Sequence, residues 1–126
     1  MFLYITLGTN DLNRARAFYD AVMSTLGHHL THESATEVGY GRAAPDVCRL
    51  YVTQPFDEKP ATTGNGSMPA FEAPTRAAVD AFHRTALAHG GTDEGAPGLR
   101  YSANFYSCYV RDPDGNKLSA VCVKAE

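Results

Sequence analysis

Residues 11–27 read DLNRARAFYDAVMSTLG, and residues 75–91, 64 positions further on, read TRAAVDAFHRTALAHGG. Laid over one another, they put Ala17 on Ala81, Phe18 on Phe82 and Gly27 on Gly91. Each stretch opens on a helix-capping residue. The Asp11 carboxylate or the Thr75 hydroxyl can accept from the free N–H groups of a first helical turn. Apolar side chains then recur at helical spacing, at Leu12, Ala15, Phe18, Tyr19, Val22 and Leu26 in one copy and at Val79, Phe82, Ala86 and Leu87 in the other. Gly27 closes the first helix and Gly90-Gly91 the second.

Outward from the helices, the agreement continues as a pattern. Leu7 falls on Phe71, within β-prone runs at residues 2–7 and 68–73. Behind the first helix, short strands are predicted at 29–33, 37–41 and 49–53. Behind the second they are predicted at 92–94, weakly, and at 105–111 and 117–123. Asp112-Pro113-Asp114-Gly115-Asn116 is a strong turn between the last two. The Pro-, Gly- and Thr-rich stretch 54–66 reads as a linker or flexible surface loop. The fold class is therefore α+β, built from two βαβββ modules in one domain: module one 1–53, linker 54–66, module two 67–126.

Composition narrows the function. A length of 126 residues suits one domain with a real core. A net charge of −3 exerts no general pull on nucleic acid or an anionic membrane. No apolar run approaches the ~18 residues of a membrane helix, and the N-terminus lacks the basic region of a signal peptide, so a cytoplasmic protein is expected. Cys48, Cys108 and Cys122 have no CxxC spacing and read as reduced thiols. His28, His29 and His32 read as a surface cluster, and His83 and His89 as solvated. No nucleophile elbow, phosphate-binding loop or dinucleotide fingerprint occurs.

Four phrases together resemble the vicinal oxygen chelate superfamily, the group of glyoxalase, bleomycin-resistance proteins and extradiol dioxygenases. They are Asp11-Leu12 followed by Ala15-Arg16-Ala17-Phe18-Tyr19, then Gly64-Asn65-Gly66-Ser67, Pro97-Gly98-Leu99-Arg100, and the run from Val110 through the 112–116 turn to Leu118. The resemblance implies strands curved into a mixed sheet around a cavity, helices on the outer face, and pairing of two such sheets within a chain or across a homodimer. It also implies a divalent metal held by a His on the first strand of each module and a Glu on the last strand of module two, with a fourth ligand in some members. In this chain those positions fall on Tyr4, Met68, Ser119 and Tyr51. A phenol with a pKa near 10, a thioether and a hydroxyl are poor donors for such metals, so no metal cofactor is expected.

If the 112–116 turn closes a hairpin with an even-numbered loop, Cys108 or Val110 sits opposite Ser119, and Tyr106 and Cys108 share its face. The expected cavity lining is then Tyr4, Thr6, Tyr51, Met68, Tyr106, Cys108 and Ser119. Arg100 stands at the mouth, either to bind an anionic ligand or to pair with Asp93 or Glu94. Such a pocket suits a small, partly apolar or aromatic molecule. Two functions follow: a metal-free small-molecule binding protein, or an enzyme of the same superfamily (lyase, isomerase or dioxygenase-like) using metal or an acid–base pair such as Tyr4 with Tyr51.

Overall fold

The computed structural model describes residues 1–43 and 47–125. Residues 44–46, inside predicted module one, and Glu126, the end of predicted module two, lie outside the described residues. The elements are β1 (Ile5–Gly8), α1 (Leu12–Ser24), β2 (His29–Glu33), β3 (Glu37–Gly41), β4 (Leu50–Thr53), β5 (Ala70–Glu72), α2 (Arg76–Ala88), β6 (Thr92–Leu99), β7 (Tyr106–Arg111) and β8 (Lys117–Cys122). Both modules are βαβββ. Their sheets run β1-β4-β3-β2 and β5-β8-β7-β6, parallel at β1–β4 and β5–β8 and antiparallel elsewhere.

The two helices start where the caps say. The Asp11 carboxylate accepts from the Arg14 N–H at 3.0 Å, and the Thr75 hydroxyl from the Ala78 N–H at 3.0 Å. Gly27 and Gly90 leave the helices at positive φ, 80° and 94°, a conformation glycine adopts without a Cβ penalty. α1 buries Ala15, Phe18, Tyr19, Val22 and Met23 against β2, β3 and β4. α2 buries Val79, Phe82 and Ala86 against β6, β7 and β8. Leu87, placed in that stripe by the sequence, is exposed, because it lies well round the helix from Phe82. The helices also pack on each other, so one continuous core links the modules.

Predicted β6 is too short: the strand runs to Leu99, with register shifts between Asp93 and Gly95 and between Gly95 and Gly98. These bulges break the period-2 pattern by which a strand is recognised. The 54–66 stretch is tied down at its middle, where the Asn10 side chain donates to the Ala61 carbonyl at 3.1 Å and accepts from the Ala61 N–H at 2.7 Å.

A second tie joins the modules. The buried Asp112 carboxylate accepts from the Tyr19 hydroxyl of α1 at 2.6 Å, from the N–H groups of Asp114 and Asn116, and from the Asn116 side-chain amide. That amide also donates to the Gly8 carbonyl at 3.0 Å. Asp114 accepts from the Thr9 hydroxyl, the Asn10 N–H and Arg14. The β7–β8 turn of module two is thus docked on the β1–α1 turn of module one.

Burial, then the neighbouring Asp112, holds the Tyr19 phenol well above its ordinary value. Burial, then the hydrogen bond to Asp20, does the same for Tyr40. Above about pH 10 the unfolded chain loses these protons while the folded chain keeps them, so stability falls as pH rises. Denaturant titrations are expected to show a steady loss above about pH 10 that Tyr19→Phe lessens. At neutral pH the same substitution is expected to cost about 1 to 3 kcal/mol, because it leaves a buried carboxylate short of a donor. Arg14→Ala, at the half-exposed edge of the network, is expected to cost under about 1 kcal/mol.

Candidate functional site: the open faces of the two sheets

Each sheet has one face under a helix and one turned away from it. In the β1-β4-β3-β2 sheet, here sheet A (β5-β8-β7-β6 being sheet B), Ile5, Leu7, Val38, Tyr40, Leu50 and Val52 belong to the core. The alternating residues Thr6, Glu37, Gly39, Gly41, Tyr51 and Thr53 therefore carry the opposite face. Tyr51 is the centre of it. Its ring meets Tyr4 edge-on at 5.0 Å between centroids and His32 edge-on at 5.9 Å. A Cβ on Gly39, its cross-strand partner, would come within 3.0 Å of that ring and 2.8 Å of the Cys48 sulfur. Glycine at 39 thus lets the ring lie close to the strand.

The β2 bulge between Leu30 and His32 lets two successive residues reach this face. The Thr31 hydroxyl meets the Cys48 sulfur at 3.1 Å. His32 packs on Tyr51 and sets Nε2 3.3 Å from a Glu37 carboxylate oxygen. His32 is therefore part of the tyrosine face, where the sequence reads it as one of a surface cluster. The signal available was the Gly39-Tyr40-Gly41 alternation, which leaves a bare strip that other side chains must cover. The neighbouring Cys48 thiol, then burial, raises the Tyr51 phenol, so it stays a neutral hydrogen-bond donor. Glu37 and Thr53 also border a cavity of about 690 Å³, walled on its far side by Pro55, Phe56 and Lys59 of the long loop.

Sheet B is built differently. The 112–116 turn is a five-residue loop, so Tyr109 pairs with Ser119 and Cys108 with Ala120. An odd loop reverses the parity expected from an even one. Tyr106 and Cys108 accordingly face α2 and do not share a face with Ser119. The Tyr106 hydroxyl donates to Asp80 at 2.7 Å, and Cys108 lies buried in the core beside the Val79 carbonyl. Burial pushes the Cys108 thiol up to about 11, which leaves it protonated and inert at neutral pH. Ser107 and Tyr109 take their place beside Ser119.

Arg100 lies over the Tyr109 ring, 4.9 Å from its centroid. It donates to the carbonyls of Ala96, Gly98 and Ser107. Neither proposed carboxylate partner holds it: Asp93 pairs with His83 at 2.9 Å, and Glu94 with Arg111 at 2.8 Å. His83, expected in solvent, is thereby pinned to β6. Three carbonyls account for Arg100 as a brace across the bulged strand.

The structure thus brings Tyr4, Thr6 and Tyr51 together on sheet A, and places Met68 and Ser119 at the β5–β8 side of sheet B. Thr6 lines a cavity of about 220 Å³ together with Ser67, Pro69 and Lys117 of module two. Ser119 is fully buried, and its hydroxyl has no hydrogen-bond partner among the described residues.

The comparisons with known proteins agree with this architecture. The profile of the Glyoxalase/Bleomycin resistance protein/Dioxygenase superfamily matches residues 2–119. The chain belongs to that superfamily. A glyoxalase/bleomycin resistance protein from Albidiferax ferrireducens T118 is 39% identical, with a TM-score of 0.87 over 96% of this chain and 97% of that one. A lactoylglutathione lyase from Agrobacterium tumefaciens (24% identity, TM-score 0.64, covering 96% of this chain and 92% of that one) shares the fold. So does the fosfomycin resistance protein FosX from Mesorhizobium loti (19% identity, TM-score 0.66, covering 96% and 90%). No functionally curated protein matches the chain.

The superfamily's divalent metal can be tested against the donors of this member. Thr6 pairs with Tyr51 in module one and Ala70 with Ser119 in module two, so Tyr51 and Ser119 are structural equivalents. Tyr4 and Met68 lie one pleat earlier, just ahead of β1 and β5. Moving the assignment by that pleat, onto Thr6 and Ala70, supplies no imidazole or carboxylate either. Among the described residues, no three His, Cys, Asp or Glu side chains come together to hold an ion. The donor set does not fit the metal. Purified protein incubated with excess Zn²⁺ or Mn²⁺ and desalted is expected to carry far less than one equivalent by elemental analysis, with no rise in Tm. A stoichiometric ion would overturn this reading.

Proposed function

We propose that the chain is a metal-free small-molecule binding protein of its superfamily, and that a flat, partly apolar ligand rests on the tyrosine face of sheet A. The observation that carries this reading is Tyr51, held flat over Gly39 between Tyr4 and His32 on the face that continues through Glu37 and Thr53 into the 690 Å³ cavity. Stacking surfaces with a few phenol and carboxylate groups around them suit an aromatic or conjugated molecule, and the volume falls within the range of small-molecule pockets. Phe56 stands fully exposed on the rim, able to lie over a bound ring.

One observation favours a second reading, an enzyme of the lyase, isomerase or dioxygenase-like kind. The His32–Glu37 pair beside Tyr51 is a base and its orienting carboxylate, and could move a proton on a bound molecule without metal. His32→Gln would then abolish turnover while leaving ligand affinity nearly unchanged.

The chain has no tryptophan, so tyrosine emission and a neutral aromatic dye such as N-phenylnaphthylamine both report binding directly. Saturable binding is expected, weakened roughly tenfold by Tyr51→Ala. Equal affinity in wild type, Tyr51→Ala and Tyr4→Ala would overturn the site.

The proposal includes a homodimer. β1 and β5 are edge strands, with Leu3 exposed beside one and Met68 beside the other. An apolar edge of this kind is covered most simply by a second copy in a closed pair. Analytical ultracentrifugation is expected to show a dimer that Leu3→Asp splits, and a monomeric wild type would overturn this part.

A further inference from the structure

Between the modules, where α1 ends and α2 begins, lies a cavity of about 840 Å³, separate from the cavity beside Glu37 and Thr53. Its wall gathers Arg42, Arg49, Lys124 and His28, with Glu72 the single carboxylate among the described lining residues. Phe2, Leu26 and Phe71 supply an apolar surface beside them. The chain carries a net charge of −3, yet among the described residues this cavity collects three of its 11 lysines and arginines with one acid.

Cations gathered in a cleft repel one another unless an anion joins them. Arg49 is steadied by donating to the Leu3 carbonyl at 3.2 Å, which leaves other guanidinium N–H groups free. Among the described residues, neither Arg42 nor Lys124 makes an ion pair or a side-chain hydrogen bond. The His28 Nδ1 is buried, with no hydrogen-bond partner among the described residues. Burial lowers the His28 pKa, and Arg42, His29 and Arg49 lower it further, so a positive field reaches the imidazole.

We propose that this cavity is a second binding site, for a small organic anion whose phosphate or carboxylate is held by Arg42, Arg49 and Lys124 and whose apolar body lies against Phe2 and Phe71. Guanidinium groups match both oxyanions through paired N–H donors, and the ammonium adds a point charge. The site does not depend on the ligand of the tyrosine face. It uses different side chains and reads a different chemistry.

The test follows the His28 imidazole by NMR in the full-length protein, titrated separately with phenyl phosphate, inorganic phosphate and benzyl alcohol. Phenyl phosphate is expected to shift the His28 signals saturably in the millimolar range and to raise the His28 pKa, because a bound anion favours the imidazolium. Arg42→Ala is expected to weaken it about tenfold, and Lys124→Glu to remove it, while Tyr51→Ala leaves it unchanged. Weak or absent effects of benzyl alcohol, and weaker binding of inorganic phosphate, would support the two-part ligand. No saturable shift with phenyl phosphate, or a shift that survives Lys124→Glu, would overturn the site. Inorganic phosphate binding as tightly as phenyl phosphate would overturn the assigned ligand class.

Discussion

The carboxylate of Asp112 ties the two modules together. It lies buried, yet four donors surround it, and one of them, the Tyr19 hydroxyl, comes from the other module. A charge can stay inside a protein only when hydrogen bonds replace the water it has lost. Meeting that requirement folds residues 112–116 into one compact turn, presents Asn116 to the Gly8 carbonyl, and aims Asp114 at Thr9, Asn10 and Arg14. The β7–β8 turn of module two is therefore also the clamp that orients module one.

The clamp decides what the open face of sheet B contains. Its loop holds five residues, so Arg111 pairs with Lys117 and each later pair follows in step. Tyr106 and Cys108 go under α2, and Ser107 and Tyr109 come out beside Ser119. Arg100 then lies over Tyr109 and braces the bulged β6 through three carbonyls. Sheet A keeps a bare glycine strip at 39 and 41, which Tyr51, Cys48 and Thr31 cover. One βαβββ plan thus yields a braced face in one module and an aromatic face in the other. A shared fold with unlike faces explains how superfamily membership can coexist with donors that do not suit the superfamily's metal.

Much of the fold was legible because its signals are local. Asp11 and Thr75 cap their helices through their own side chains, and the buried stripes of α1 and α2 repeat at helical spacing. The parity of β1 was legible too, with Ile5 and Leu7 toward the core and Tyr4 and Thr6 away. The candidate site was legible in part: Tyr4, Thr6 and Tyr51 do gather on one face. His32 was missed because a bulge, which has no period, turns it onto that face. Tyr106 and Cys108 were misplaced because parity across a hairpin hinges on a single residue of loop length. Arg100 found its partners through the extension of β6, which the interrupted alternation at Gly95 and Gly98 conceals.

The sequence by itself determined the two helices, their caps, the doubled module and the absence of imidazole or carboxylate at the usual ligand positions. Each of these is a property of residue type and spacing along the chain. Tertiary contacts settled which side chains of β7 meet Ser119, which partners hold Arg100, and that Lys124 of module two shares a cavity with Arg42 and Arg49 of module one. Those outcomes rest on hydrogen-bond register and on contacts between residues far apart in sequence, where a shift of one position reverses a face.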